Sequence, residues 1–263
     1  MHSNVYANGR IVEQSDAPLA ASAGVLYGKG VFTTVRIDCG QPFLFEKHLR
    51  RLSENARAIG LVPVENSTIG VGLQAVIASN SVVSGRARIT LLDASQSNIW
   101  GGSSTPATEL HIITGDFRPM PGEFRLGVSP FAVNSASPLA GVKSCNYLEN
   151  LIAAEEARGR GFHEAVRLNE RGEVVSGAMS NIFWLSGGKL YTPSLRTGCL
   201  AGTLRELILE KLDCKEVEVG IGELERAEAI FLTSSGIGIR PVAELAGRRL
   251  PVLSHPVLEL WPF

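Results

Sequence analysis

The spacing of apolar residues predicts strands mixed with two helices in the first part of the chain. Helical spacing begins near residue 44, where the apolar positions fall on one face of a predicted helix. These positions are Phe45, Leu49, Leu52, Ala56 and Ile59. The predicted elements are a hairpin over residues 5–12 turning at Asn8 and Gly9, a strand over 32–37, helices over 44–60 and 66–79, and strands over 86–92 and 109–114.

The second part of the chain repeats this mixture after a turn-rich segment. Residues 115–122 (GDFRPMPG) hold two prolines and two glycines, which predicts a linker. The elements predicted beyond it are a strand over 124–132, a helix over about 146–158, strands over 164–168, 173–176 and 181–185, a helix from Thr203 with a capping box to Glu206, and a strand over 229–233. We therefore predict an α+β protein with an N-terminal domain (1–114), a linker (115–122) and a C-terminal domain (123–263).

Charge and composition exclude several classes of protein. The 263 residues carry 25 basic and 26 acidic side chains, so no electrostatic footprint for nucleic acid is present. Apolar runs end before the ~18–20 residues of a membrane span, and the first residues lack a signal-peptide pattern, so we expect a cytoplasmic protein. The four cysteines form no CxxC pair and the five histidines no HxxxH or HxH pair, so no metal site is expected.

Lys143 is the lysine whose surroundings differ from those of the other five. No charged residue lies within five positions on either side of it. A desolvated lysine has a lowered pKa and can act as a nucleophile or proton shuttle, although an exposed loop lysine would have the same local sequence. Residues 201–206 and 233–236 are possible anion sites, and Arg50 and Arg51 could bind a phosphate or line a solvated helix face. Together a reactive lysine and phosphate-binding elements match the needs of pyridoxal 5′-phosphate (PLP).

Ordered motifs extend this pattern over nearly the whole chain. They are YGKGVFTTVR (27–36), HLRRL (48–52), KSCNYLEN (143–150), EEA (155–157), SNIF (180–183), YTP (191–193), LAG (200–202), FLTSS (231–235) and PV (241–242). The chain thereby resembles the fold-type IV, or class IV aminotransferase, PLP enzymes: branched-chain aminotransferases, D-amino-acid aminotransferases and aminodeoxychorismate lyases. The resemblance implies a smaller N-terminal α/β domain, a larger C-terminal domain with a β-barrel-like core, and a homodimer.

The resemblance also implies roles for individual residues. Lys143 would be the Schiff-base lysine and the catalytic base. The residues implied in cofactor binding are Arg51, the Thr203 and Leu204 amides and Ser235 for the phosphate, Tyr147 for the ring or its 3′-oxygen, and Ser176 and Asn181. Tyr27 and Thr34 are the candidates for contact with an amino-acid-like substrate.

Some positions depart from the family pattern. Ser176 stands where the family has a glutamate that hydrogen-bonds the protonated pyridine nitrogen, and Glu173, three residues away on a strand, would face the other side. Ser22 and Lys29 replace family aspartates, and Asp93 stands where D-amino-acid aminotransferases bind a substrate carboxylate. A neutral serine would weaken electron withdrawal by the ring, which disfavours transamination relative to elimination.

The function predicted from this resemblance is that of an aminodeoxychorismate lyase, which releases pyruvate and leaves 4-aminobenzoate. The compact length, the FTT sequence at 32–34 and the GTL sequence at 202–204 favour the lyase. One alternative is an aminotransferase of branched-chain or D-amino acids that uses 2-oxoglutarate or pyruvate. Another is a PLP-binding protein with little catalysis.

Overall fold

A computed structural model describes residues 3–13, 23–95, 107–117, 120–251 and 253–263. The chain forms two compact units, Met1–Arg118 with Val142–Tyr147, and Pro119–Gly141 with Leu148–Phe263. Within the described ranges, no helix is long and apolar enough to cross a membrane. Ser22 and residues 118–119 of the predicted linker lie outside the described residues.

The first unit is built on an antiparallel sheet, six-stranded in its described part. Its strands are β1 (Asn4–Ala7), β2 (Arg10–Glu13), β3 (Gly30–Asp38), β4 (Gln41–Pro42), β5 (Gly85–Asp93) and β6 (Thr108–Gly115), in the spatial order β2-β1-β6-β5-β3-β4. Asn8 (φ 45°) and Gly9 (φ 94°) form the predicted β1–β2 turn, where both positions need a positive φ. The hairpin prediction is therefore confirmed.

In the part of the chain that the structure describes, three helices pack on this sheet, and two of them share its hydrophobic core. They are α1 (Ala23–Leu26), α2 (Phe45–Ala58) and α3 (Asn66–Ser79), and α2 packs on β3 while α3 packs on β1 and β6. The predicted apolar face of α2 is the buried one, with Leu49, Leu52 and Ala56 at 2% exposure or less. Each leucine buried in this way contributes about 1.5–3 kcal/mol. The packing of α2 therefore fixes which of its polar residues face inward.

The second unit contains a larger sheet, nine-stranded among the described residues. Its strands are β7 (Phe124–Val128), β8 (Glu164–Leu168), β9 (Val174–Gly177), β10 (Asn181–Ser186), β11 (Lys189–Pro193), β12 (Cys214–Val217), β13 (Ala229–Ser234), β14 (Gly238–Leu245) and β15 (Arg248–Arg249). The order is β12-β11-β10-β13-β14-β7-β8-β9, with β15 on β14. The sheet curls into a half-barrel, since β9 at its end also lies against β10. The helices are α4 (Leu148–Gly159), α5 (Thr203–Lys211) and α6 (Gly222–Arg226).

Three sequence predictions differ from the structure in this part of the chain. The strand predicted over 124–132 ends at Val128, just before Pro130, which has no N–H for the ladder. The predicted capping box is wrong, because Gly202 is the N-cap of α5 and Glu206 donates its backbone N–H to the Gly202 carbonyl. The predicted domain 123–263 also includes Val142–Tyr147, which the structure places in the first unit.

Candidate active site

Lys143 lies in an extended segment held against β3 in the first unit. The Phe32 N–H donates to the Lys143 carbonyl (3.0 Å), and the Cys145 N–H donates to the Gly30 carbonyl (2.8 Å). These bonds fix the backbone on both sides of the lysine. They also explain why this segment belongs to the first unit.

The Lys143 amine lies among aromatic side chains. Its Nζ donates to the Tyr147 hydroxyl at 3.2 Å and lies 4.5 Å from the centre of the Phe32 ring and 4.6 Å from that of Tyr147. Burial lowers the pKa of Lys143 to about 7, and the positive charges of Arg51 and Arg88 act in the same direction. About half of the amine is therefore neutral near pH 7, in the form that attacks carbonyl groups.

The Arg51 side chain is held in place by Thr33, which in turn contacts His48. The Arg51 Nη2 donates to the Thr33 hydroxyl (2.9 Å), which lies 2.7 Å from the His48 Nδ1. Burial, followed by the charges of Arg51 and Lys143, holds the pKa of His48 well below its usual value, so the imidazole is neutral. The Thr33 hydroxyl therefore accepts from Arg51 and is also hydrogen-bonded to the neutral His48 ring, which joins the two side chains. Arg51 faces inward from α2, whereas Arg50 is exposed.

Arg88 is a residue that the sequence reasoning missed. Its guanidinium carbon lies 3.5 Å from the centre of the Phe32 ring, and its Nε donates to the Thr90 hydroxyl at 3.2 Å. Arg88 also interacts with the thiol of Cys145. The available signal was alternation, because Arg88 lies between the buried β5 residues Ala87 and Ile89 and so faces away from the core.

The candidate substrate residues occupy different settings in the first unit. Thr34 lies directly opposite Arg88 in the β3–β5 ladder, and Tyr27 is half exposed. Asp93 is buried and pairs with Lys29 at 2.8 Å. Burial opposes ionisation of Asp93, but hydrogen bonds from Lys29 and Ser95 hold its pKa below the usual value. The two departures at positions 29 and 93 therefore form one ion pair.

In the second unit, the first turn of α5 lies beside the turn between β13 and β14. The Thr203 and Ser235 hydroxyl oxygens are 3.5 Å apart, and Asn181 donates its Nδ2 to the Leu200 carbonyl at 2.8 Å. Asn181 packs so closely on Gly202 that a Cβ there would clash with its Oδ1. The structure therefore brings together Asn181, Ser235 and the start of α5, and a helix N-terminus is a position that suits an anion.

Glu164 is a second residue that the sequence reasoning missed. Its buried carboxylate accepts hydrogen bonds from the backbone N–H groups of Ala165, Ala178 and Met179 and from the Ser180 hydroxyl, at 2.9–3.2 Å. Burial raises the pKa of Glu164, and these hydrogen bonds act in the opposite direction. Glu164 thereby holds the connection between Ser176 on β9 and Asn181 on β10. An acidic residue at the start of a strand with buried neighbours was the available signal.

A partly desolvated lysine amine with a lowered pKa, in an α+β protein, is typical of enzymes in which a lysine bonds covalently to a carbonyl group. The model of the amino-transferase class IV family matches residues 30–245. The aminodeoxychorismate lyase of Bacillus subtilis (strain 168) is 30% identical over 260 residues, covering 92% of this chain and 86% of that one. The chain therefore belongs to the class IV aminotransferase family, whose members are PLP-dependent enzymes.

Solved structures agree with this assignment. The 4-amino-4-deoxychorismate lyase of Pseudomonas aeruginosa is 26% identical, with a TM-score of 0.85 and coverage of 97% of this chain and 96% of that chain. The branched-chain aminotransferase of Thermoproteus uzoniensis, solved with norvaline, is 26% identical, with a TM-score of 0.89 and coverage of 100% and 93%. These matches confirm the resemblance and the predicted fold class. Among the residues described, no group of three or more His, Cys, Asp or Glu side chains could hold a metal ion.

Proposed function

We propose that this protein binds PLP through Lys143 and acts as an aminodeoxychorismate lyase, releasing pyruvate to leave 4-aminobenzoate. The observation that carries the proposal is the amine of the half-buried Lys143, which has a pKa of about 7 and donates to the Tyr147 hydroxyl at 3.2 Å. The amine is thus neutral often enough to bond to an aldehyde at neutral pH. When bound, PLP supplies a ring that withdraws electrons from the substrate carbon bearing the amine.

The side chains of the first unit fit the two ends of this cofactor. Lys143 supplies the amine that an aldehyde requires, and Arg51 supplies a fixed cation suited to phosphate oxygens. In the second unit we propose that Ser235 and the backbone amides of Thr203 and Leu204 bind the phosphate, and that Asn181 and Ser176 serve the cofactor. The proposals for the second unit come from the family resemblance, and the fit of the α5 start to an anion supports them.

The residues around the amine also suit proton transfer. We propose that the Lys143 amine removes the proton from the substrate α-carbon as a general base. Tyr147 would hold the amine through its hydroxyl, and the Phe32 and Tyr147 rings limit the access of water. Thr34 and Tyr27 remain the proposed substrate contacts.

The lyase proposal is supported by the similarity to two lyases and by the neutral side chain at position 176. The similarity to a branched-chain aminotransferase supports the second candidate, an aminotransferase of branched-chain or D-amino acids. The deciding experiment compares pyruvate release from aminodeoxychorismate, coupled to lactate dehydrogenase, with 2-oxoglutarate- or pyruvate-dependent deamination of an amino-acid panel. Fast deamination without lyase activity would contradict the first proposal, and neither activity would leave a PLP-binding protein.

We also propose that the enzyme acts as a cytoplasmic homodimer. One face of α4 exposes Leu148 (66%), Leu151 (43%) and Ile152 (42%), at the spacing of one helix face. An apolar stripe of this kind is typical of an interaction surface. Light scattering of the parent and of Leu151→Glu tests this, with a dimer expected for the parent and dissociation for the variant.

A further inference from the structure

Arg167 and Ser176 lie directly opposite each other in the second unit. They are paired in the antiparallel ladder of β8 and β9, so their side chains leave the same face of the sheet with Cβ atoms about 4.5–5.5 Å apart. The neighbouring pair, Val166 and Gly177, has the other orientation, and Val166 packs in the hydrophobic core of the unit. Arg167 is 2% exposed, so its charge is held in place rather than solvated.

The carboxylates of Glu173 and Glu164 form hydrogen bonds with groups other than Ser176. Glu173 accepts from Arg171 Nη2 and from Asn169 Nδ2, each at 2.7 Å. Both carboxylate oxygens of Glu164 accept hydrogen bonds from the turn that follows β9. Neither carboxylate therefore replaces the acidic group that Ser176 lacks.

The Arg167 guanidinium contacts groups from other segments of the second unit. Its Nη2 donates to the Ala132 carbonyl at 3.2 Å and lies 3.8 Å from Glu149 Oε2. The Glu149 side chain is 80% exposed, so solvent screens its charge more than that of Arg167. The charge that Ser176 experiences across the ladder is thus mainly positive.

We propose that Arg167 is a positioning residue that keeps the pyridine nitrogen of the cofactor unprotonated. The inference rests on the proposed function, in which Ser176 stands beside that nitrogen. A positive charge nearby disfavours a second positive charge, and the Ser176 hydroxyl can donate to a neutral nitrogen. Ser176 and the buried Arg167 opposite it then act together, because both favour the form of the cofactor whose pyridine nitrogen carries no proton.

In such a site the pyridine nitrogen of the cofactor accepts a hydrogen bond and carries no proton. A neutral ring withdraws electrons less strongly than a protonated one, so the Lys143 base must work with a weaker electron acceptor. The reaction that suffers most is transamination, because it needs the ring to store the electron pair until reprotonation. The arrangement therefore favours elimination of a leaving group from the substrate.

The test measures protonation directly, with PLP labelled with ¹⁵N at the ring nitrogen and bound to the parent protein at pH 7. The expected ¹⁵N chemical shift is that of an unprotonated pyridine. PLP should also bind at least about tenfold more tightly than 1-deaza-PLP, whose ring carbon cannot accept from Ser176. A protonated nitrogen in the parent would overturn the proposal, as would equal affinity for the two compounds.

Variants separate the roles of charge and structure. Arg167→Lys keeps the charge and should keep the unprotonated signal, whereas Arg167→Leu at the same pH should shift the signal toward the protonated form. Ser176→Glu in the Arg167→Leu background should give a fully protonated nitrogen. If Arg167→Leu does not fold, the Ser176→Glu single variant must move the signal toward the protonated form, and an unchanged signal contradicts the proposal.

The proposed function is checked in the same samples. Borohydride reduction followed by peptide mapping shows whether PLP is attached to Lys143. Attachment to Lys143 with a protonated nitrogen overturns only the inference about Arg167. Attachment elsewhere overturns the proposed function and this inference with it.

Discussion

Replacing Thr33 by valine would break the hydrogen bonds that join Arg51 to His48. Thr33 is fully buried and has the shape of valine, so the change removes a hydroxyl and creates almost no cavity. The bond from the Arg51 cation contributes about 1.5–3 kcal/mol, and the neutral bond to His48 about 0.5–1.5 kcal/mol. We therefore expect Thr33→Val to lower the free energy of unfolding by about 2–4 kcal/mol.

The same change should weaken PLP binding by about tenfold, because Arg51 loses the contact that fixes its orientation. Urea unfolding followed by circular dichroism measures the stability, and fluorescence titration measures the PLP affinity. Thr33→Ser is the matched control, since it keeps the hydroxyl and loses one methyl group, at a cost of about 1 kcal/mol. Equal losses of stability and affinity in the two variants would refute the role assigned to the hydroxyl.

Three further predictions concern single side chains. Between pH 7 and pH 9 the unfolded chain binds more protons than the folded one, because the pKa of Lys143 is about 7 in the folded chain instead of 10.5. PLP-free protein should therefore gain about 2 kcal/mol of stability over this range, and Lys143→Met should lose that gain in urea unfolding. Arg51→Ala should weaken PLP binding tenfold to a hundredfold, about 1.5–3 kcal/mol, while the exposed Arg50→Ala leaves the titration unchanged. Glu164→Gln places an amide donor against a backbone N–H and should cost about 1–3 kcal/mol in urea unfolding, with the exposed Glu155→Gln as a control that should cost nothing measurable.

Helices and turns of the fold could be predicted because the residue pattern that specifies each one lies within a short segment of the chain. The apolar face of α2 needed only the 3.6-residue period, whereas the choice of Arg51 over Arg50 came from the family resemblance. The Asn8-Gly9 turn needed only two residues that accept a positive φ. Lys143 was found because neutral residues surround it in the chain.

The errors and omissions arise where distant segments meet. Thr203 and Glu206 have the spacing of a capping box, but the helix starts one residue earlier than that pattern requires, with Gly202 as its N-cap, and Thr203 lies beside Ser235, 32 residues away in the chain. Glu164 acts on a turn 14 to 16 residues away, and Arg88 lies beside Cys145 only in the folded chain. No local period encodes these contacts.

The charges near Lys143 show how the fold creates a property that no single segment has. Arg51 comes from α2, Arg88 from β5 and the lysine from a segment beyond residue 140, and each is an ordinary basic residue in its own sequence. The fold places them close enough that two guanidinium charges lower the pKa of the amine. Such mutual repulsion opposes folding, and a bound phosphate would relieve it. The lowered pKa of the lysine therefore comes from its burial and, in addition, from this clustering of positive charge, and the same clustering suits the anionic cofactor that we propose.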